Sequence, residues 1–421
     1  MKCVRDSDLL ASSEKIVMPQ SVSLLGYVII LMLAWLLSTH KSRVPWRIVL
    51  LGTLLQFSLA VLILRTPPGD ALFTRIGHLF TALLNFVDAG ASFVFGPNFQ
   101  QFYFAFKVLP TIIFFSSMTS ILYYLGVMQV VVYAMARLMR WTLGTSAAET
   151  LSASANIFIG QTEAPMLVRP YIATMTMSEL NSVMVGGFAT LAGGVLAAFV
   201  GMGIDAGHLI TASVISAPAG LMIAKLMLPE TEQPATLGYP TIHVPRQGVN
   251  LLEAAAIGAS DGMKLALNVA AMLIVFLALI AMFDKCISIV GGMFSMDWSL
   301  RSGLGYAFAP MAWLMGIEWK DCLPAGQLLG LKMATTEFVA YEELSSWLKP
   351  ESTVRLQPRT VAIMTYALCG FSNFASIGIQ IGGLGAMAPT RQSDLARLGF
   401  RAMIGGTLAC CLTACVAGAL L

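Results

Sequence analysis

Apolar stretches of about 20 residues, the length a helix needs to cross a hydrocarbon core, recur from one end of this chain to the other. They run Val22 to Leu37, Ile48 to Leu64, Thr111 to Met139, Val183 to Met202, Leu209 to Leu228, Leu265 to Met282, Val361 to Leu384 and Ala402 to Leu421. In lipid every backbone amide must find its partner inside the protein, so stretches of this kind become α-helices. The expectation is an all-α integral membrane protein with about eight transmembrane helices, the third stretch being long enough to hold more than one element. Its 57% hydrophobic and 11% charged residues, with a mean hydropathy of +0.78, put the 421-residue chain outside the range of soluble domains.

The charges and cysteines exclude several functions. A net charge of +3 spread along the chain leaves no footprint for nucleic-acid polymers. Seven cysteines without a CxxC pair, three of them (Cys410, Cys411, Cys415) in the last apolar stretch, argue against redox or metal chemistry. Residues 1–20 mix charges before the first apolar run and lack a cleavage pattern after it, which reads as an N-terminal extension. Lys41, Arg43 and Arg47 assign the first loop to the cytoplasm and both termini to the outside. Arg65 to Asn98, with Pro67, Pro68, Arg75 and His78 among its apolar residues, suits an amphipathic helix at the interface. Glu230 to Asp261 reads as a linker through Pro234, Pro240 and Pro245, followed by a second interfacial helix over Leu251 to Ala259.

No catalytic motif is convincing. His40, His78, His208 and His243 fall in loops or near the ends of spans, and neither HExxH nor a phosphate-binding loop occurs. Gly258-Ala259-Ser260-Asp261-Gly262 has the spacing of a nucleophile elbow but follows a helical stretch instead of a strand. The chain therefore reads as a non-enzyme, and any transport would run on an ion gradient or downhill flux.

Two polar runs stand out against the apolar background: Gly160-Gln161-Thr162-Glu163-Ala164-Pro165 and Thr335-Thr336-Glu337-Phe338. Charges at membrane depth are costly and mark substrate or ion paths. Glu149 to Ile159 and Ala164 to Met175 are each too short to span, so they predict a re-entrant hairpin with its tip at 160–163. Ala325 to Thr336 and Tyr341 to Trp347 repeat the layout around Glu337. Gln161 and Glu163 supply an amide and a carboxylate suited to a polar heterocycle; Glu337 with Asn373 and Ser376, which share a helix face, suits the vicinal hydroxyls of a sugar. The competing readings are a water-exposed loop for the first tip and helix-packing contacts for Ser376. Asn156, one turn before Gly160, and Thr190, inside a Gly-rich interruption at 186–194, offer oxygens for a monovalent cation, against a simpler role in backbone hydrogen bonding. That interruption and Cys369 to Gly378 echo one another, as in inverted-repeat transporters.

Four motifs in order resemble the concentrative nucleoside transporter family, the match running from Glu149 to the C-terminus: Gly160 to Pro165, Glu253-Ala254-Ala255 with Gly258 to Gly262, Glu337-Phe338-Val339-Ala340-Tyr341, and Phe371-Ser372-Asn373-Phe374. The resemblance implies a bacterial inner-membrane homotrimer that imports nucleosides such as uridine with sodium, moving a transport domain against a scaffold like an elevator. It implies that Gln161, Thr162, Glu163 and Val195 contact the base, Glu337, Asn373 and Ser376 the ribose, and that Phe371 lies beside the base. Sodium would be held by Asn156, Thr190 and the Ile159 and Leu191 carbonyls. Scaffold helices would occupy 21–140, the first transport unit 141–230, a linker, interfacial helix and scaffold span 231–300, the second transport unit 301–398, and a last helix 399–421. One departure is Thr336, where family members often carry Asn, which alters hydrogen bonding around Glu337. A proton-coupled symporter is the nearest alternative; a membrane hydrolase using Glu163 and Glu337, or a passive channel, is more remote.

Overall fold

A computed structural model describes residues 4–238, 248–293 and 299–421, so Pro240, His243 and Pro245 of the linker lie outside the described residues. Among the described residues every regular element is helical. The first helices are α1 (Val4–Leu36), α2 (Trp46–Leu64), α3 (Pro67–Phe95), α4 (Leu109–Tyr124) and α5 (Val127–Leu143). The third apolar stretch thus does hold two elements, parted at Gly126, whose φ of +83° favours glycine. Then come α6 (Ala147–Ala155), α7 (Arg169–Ile172), α8 (Met177–Ala189), α9 (Gly193–Gly201) and α10 (Ala206–Met227). The second half comprises α11 (Leu251–Met293), α12 (Leu300–Leu314), α13 (Trp319–Ala334), α14 (Glu337–Leu348), α15 (Pro358–Leu368), α16 (Phe374–Met387) and α17 (Gln392–Leu420).

Eight helical segments of the described chain are long and apolar enough to cross a membrane, but they are not quite the eight read from sequence. Pro67–Phe95 qualifies by length and hydropathy, although its composition pointed to the interface. Its two prolines sit in the first turn, where a missing N–H costs nothing, and Thr66 caps Gly69 N–H at 3.2 Å, so they start the helix without shortening it. Conversely, Val361 to Leu384 is not one span: the chain leaves helix between Leu368 and Phe374, making α15 and α16. The segment 251–259 is no separate helix either, because α11 continues through Asp261 and Gly262 for 43 residues. Gly258 and Gly262 there face α4, where added Cβ atoms would stand 2.6 Å from the Ser116 carbonyl oxygen and 2.7 Å from Ile113 Cα. The small residues of this motif thus let two backbones approach, and Ser117 Oγ donates to the Ala255 carbonyl at 2.9 Å across the same contact.

Burial separates two sets of helices. The segments 177–201, 206–227 and 389–420 are 83%, 89% and 78% buried within the chain, whereas those of α1 to α4 and α11 lie between 11% and 33%. The second set presents apolar side chains such as Leu50, Phe86, Leu267 and Ile274 outward. Of the polar candidates Thr190 lies in the first set; Asn156, Gln161, Glu163, Glu337, Asn373 and Ser376 lie on the shorter helices and turns between these segments.

Candidate functional site

The first tip begins at a capping box: Ser146 N–H donates to Glu149 Oε1 at 2.8 Å, and Ser146 Oγ accepts from Glu149 N–H. From there α6 runs only to Ala155, not to Ile159 as expected, and Asn156 to Glu163 form turns. The second arm is not a single α-helix over Ala164 to Met175: a 3-10 turn spans Ala164–Val168 and α7 has one turn. Pro165 and Pro170 explain this, since each removes an N–H and opens a new first turn. A second capping box, Thr176 with Glu179, starts α8.

Buried charges hold these N-termini together. Lys225 in the last turn of α10 lies 2.8 Å from Glu149 and 3.2 Å from Glu230, and it donates to Ser178 Oγ at 3.0 Å. Ser146 Oγ also donates to Glu179 Oε1 at 2.5 Å, joining the two boxes. Each capping box is built from residues three apart, whereas the lysine that joins them lies far along the chain from Glu149.

Two broken helices meet beyond the tip. The first break, Thr190 to Ala192 between α8 and α9, is tied to the tip where Gly193 N–H donates to the Phe158 carbonyl at 3.0 Å. The second, between α15 and α16, touches the first: a Cβ on Gly370 would lie 2.7 Å from the Phe188 carbonyl oxygen and 3.0 Å from the Ala189 carbonyl carbon. Cys410 Sγ of α17 donates to the Cys369 carbonyl at 3.3 Å, and buried Lys332 donates to the Ala367 carbonyl at 2.9 Å. Such partners are required because buried carbonyls released from a helix must be satisfied.

The second tip arrives by a sharp change of direction at Thr335 and Thr336, and α14 starts on Glu337 itself. Phe199 packs tilted rings against Phe338 and Tyr341 with centroids 4.7 Å and 4.2 Å apart, holding α14 against α9. Thr336 does not cap α14, and its Oγ1 is buried without a hydrogen-bond partner.

A continuous hydrogen-bonded row links the two tips. Asn373 Nδ2 donates to Glu337 Oε2 at 2.9 Å, and Asn373 Oδ1 accepts the Ser376 backbone N–H at 2.9 Å, capping α16. Ser376 Oγ accepts from Gln161 Nε2 at 3.1 Å, although 215 residues separate them. Gln380, which the sequence reading missed, donates to Gln161 Oε1 at 3.0 Å. Its only sequence signal is its place one turn beyond Ser376 on the same helix face. Thr162 lies against α16, where a Cβ on Gly383 would be 2.6 Å from its Cγ2.

Glu163 points elsewhere. It is exposed and lines a cavity of about 660 Å³ between the tip, α4 and α11, with Ser116, Ser120, Ile159 and Asp261. Glu163 and Glu337 thus have different neighbours and do not form an acid–base pair with one another. Val195 is buried in the main core, and half-buried Phe371 packs against that same core. His208 contacts the Tyr366 hydroxyl at 3.1 Å.

Two of the four cation candidates, Asn156 and Thr190, lie beside Gly186. Its Cβ position lies 3.3 Å from Asn156 Nδ2, and its carbonyl accepts the Thr190 hydroxyl at 2.9 Å. Asn156 is fully buried, yet among the described residues neither its Oδ1 nor its Nδ2 has a hydrogen-bond partner. An orphaned buried amide costs about 1–3 kcal/mol, and its oxygen fits a hard cation better than apolar packing does. The Thr190 oxygen and the extended backbone at the break supply oxygens of the same kind.

Two helical tips meeting two broken helices inside a multi-pass apolar body are the architecture of a secondary transporter. Family models match nearly the whole chain: "Na+ dependent nucleoside transporter N-terminus" over residues 25–98, "Nucleoside recognition" over 105–206, and "Na+ dependent nucleoside transporter C-terminus" over 208–418. The chain belongs to the Na+-dependent, or concentrative, nucleoside transporter family. An uncharacterized transporter of Haemophilus influenzae is 48% identical over 94% of this chain and 96% of its own length. Human solute carrier family 28 member 3 is 46% identical over 95% of this chain, which spans 60% of that protein's length; the Eptatretus stoutii protein of the same name is 45% identical with the same coverage. Among solved structures, CNTnw in an inward-facing substrate-bound state is similar with a TM-score of 0.89 and 42% identity, covering 96% of this chain and 98% of that one. A doubly substituted CNTnw in an outward-facing state gives a TM-score of 0.91 at 41% identity, covering 96% and 99%.

Proposed function

We propose that this protein imports nucleosides such as uridine across a bacterial inner membrane by sodium symport, working as a homotrimer with an elevator-type movement. The observation that carries the reading is the row from Glu337 through Asn373 and Ser376 to Gln161, which joins both tips around one set of polar groups. The second tip and the break after α15 bind ribose: the Glu337 carboxylate accepts from sugar hydroxyls, with Asn373 and Ser376 beside it. Gln161, Thr162 and Glu163 serve the base, with Val195 and Phe371 as its apolar surroundings. Glu163 reaches the base from the side of the α4–α11 cavity, which becomes the route to the site.

Sodium, with the Asn156 and Thr190 side chains and the Ile159 and Leu191 carbonyls as ligands, ties the first tip to the first break. The ion thereby stiffens the backbone that presents Gln161, so nucleoside binds better after it. Each side then raises the other's affinity by the same factor, as linkage requires. One charge moving through 100 mV releases about 2.3 kcal/mol, enough for roughly 50-fold accumulation before the sodium concentration gradient is added. Residues 141–230 and 301–398 form the moving body. The scaffold comprises 21–140 and the α11 span, whose apolar faces meet lipid and the neighbouring copies, with α3 at the interface.

Uptake of labelled uridine into proteoliposomes should depend on sodium and saturate, and intact uridine should be recovered inside. Unchanged uptake after replacing sodium by potassium would refute sodium coupling, and uptake driven by an imposed pH gradient would assign the proton instead. Recovery of cleaved nucleoside, or flux without saturation, would refute symport.

A further inference from the structure

Gln380 lies fully buried where α16 meets both α8 and the first tip. Its Nε2 donates to the Met184 carbonyl of α8 at 3.1 Å and to Gln161 Oε1 at 3.0 Å. Its own Oε1 is buried without a partner among the described residues. Both amide hydrogens are thus engaged, and the orientation of the group is set from the donor side alone.

A backbone carbonyl can only accept, so Met184 dictates which end of the Gln380 amide faces α8. With Nε2 held there, Gln380 can only donate toward Gln161, and Gln161 must answer with its oxygen. The Gln161 Nε2 then faces Ser376 Oγ, as observed at 3.1 Å. That leaves one Gln161 N–H and the Ser376 O–H as donors, opposite the acceptor carboxylate of Glu337. Close packing preserves the arrangement: a Cβ on Gly187 would stand 2.8 Å from Gln380 Nε2 and 2.9 Å from Gln161 Cβ.

We propose that Gln380 is a specificity-determining positioning residue, which reads the Met184 carbonyl and locks the Gln161 side-chain amide with its N–H toward the nucleobase. The inference rests on the nucleoside reading above. It makes the site selective for bases that present an acceptor where Gln161 points. Uracil and cytosine carry opposite donor and acceptor patterns at N3 and the exocyclic group on C4, as hypoxanthine and adenine do at N1 and the exocyclic group on C6. A locked amide therefore distinguishes within at least one of these pairs, whereas a freely turning amide does not.

The test measures inhibition constants of uridine, cytidine, inosine, adenosine and 2′,3′-dideoxyuridine in proteoliposomes, for the unsubstituted protein, Gln380→Met and Gln380→Glu. Methionine keeps the length and packs well but donates nothing. Glutamate keeps the shape and turns the donor into an acceptor, so Gln161 must reverse. In the unsubstituted protein at least one base pair should be distinguished. Gln380→Met should compress that ratio several-fold, up to about tenfold for one oriented hydrogen bond, and Gln380→Glu should invert it, while the uridine to dideoxyuridine ratio holds in both. Either variant suffices if the other does not fold. Equal loss for every nucleoside, an unchanged base ratio, or an unsubstituted protein that distinguishes neither pair would overturn the role of Gln380. Failure of the unsubstituted protein to require the ribose hydroxyls would instead overturn the nucleoside reading beneath it.

Discussion

Replacing Glu337 by glutamine should separate sugar recognition from every other contribution to binding. Glu337 is 4% exposed, and its Oε2 accepts from Asn373 Nδ2 at 2.9 Å. Asn373 cannot turn to accommodate a changed partner, because its Oδ1 is committed to the Ser376 backbone N–H at 2.9 Å. In Glu337→Gln the new amide must therefore give its oxygen to Asn373 and turn its NH2 group toward the ligand. An acceptor of two sugar hydroxyls becomes a donor, and at least one charge-assisted bond disappears. Such a bond contributes about 1.5–3 kcal/mol, which corresponds to roughly a 10- to 150-fold weaker dissociation constant. Titration calorimetry of uridine and 2′,3′-dideoxyuridine at constant sodium reads the effect directly. The riboside should lose affinity by that factor and the dideoxy analogue by far less. Thermal unfolding should remain close to that of the unsubstituted protein, since the side chain keeps its shape. Equal losses for both ligands would refute the assignment of Glu337 to the sugar.

Further substitutions probe the framework. Lys225→Met leaves buried Glu149 and its neighbour Glu230 without their cation; removing one partner of a buried pair costs about 3–5 kcal/mol, so the melting temperature should fall, and adding Glu149→Gln should recover part of the loss. An unchanged melting temperature for Lys225→Met would show that the buried ion pair does not hold the two N-termini. Gly187→Ala puts a methyl 2.8 Å from Gln380 Nε2 and 2.9 Å from Gln161 Cβ, an overpacking that costs about 1–3 kcal/mol and should weaken nucleoside binding measured by calorimetry. Gly90→Ala meets nothing within 4 Å and lies within α3, so unfolding assays should show it neutral to stabilising by about 0.5–1 kcal/mol.

Much of the candidate site is legible residue by residue. Glu337 and Asn373 stand out because a carboxylate or amide in an apolar chain must have a reason to be there. Gln161 and Ser376 were selected on similar grounds, and the structure joins them. Gln380 and Lys332 were not selected, because each becomes meaningful only through a carbonyl on another helix, Met184 for one and Ala367 for the other. Glu163 shows the converse: its residue type marked it, but the bend at Gly160 turns it toward the α4–α11 cavity and away from the row its neighbour Gln161 joins. The second arm of the first hairpin departs from the expected single helix because Pro165 and Pro170 divide it.

Sequence alone was enough to read an α-helical membrane protein, about how many helices it has, and the two polar tips that interrupt them. These properties are local: in lipid each segment must satisfy its own backbone, so hydropathy and turn chemistry decide segment by segment. Only the tertiary structure decided that the breaks after α8 and α15 touch, that α11 continues through its glycines to meet α4, and that one backbone carbonyl orients a row of side chains drawn from both halves of the chain. Those outcomes depend on which surfaces pack together, and a hydrogen bond between residues 215 positions apart leaves no trace in the sequence near either of them.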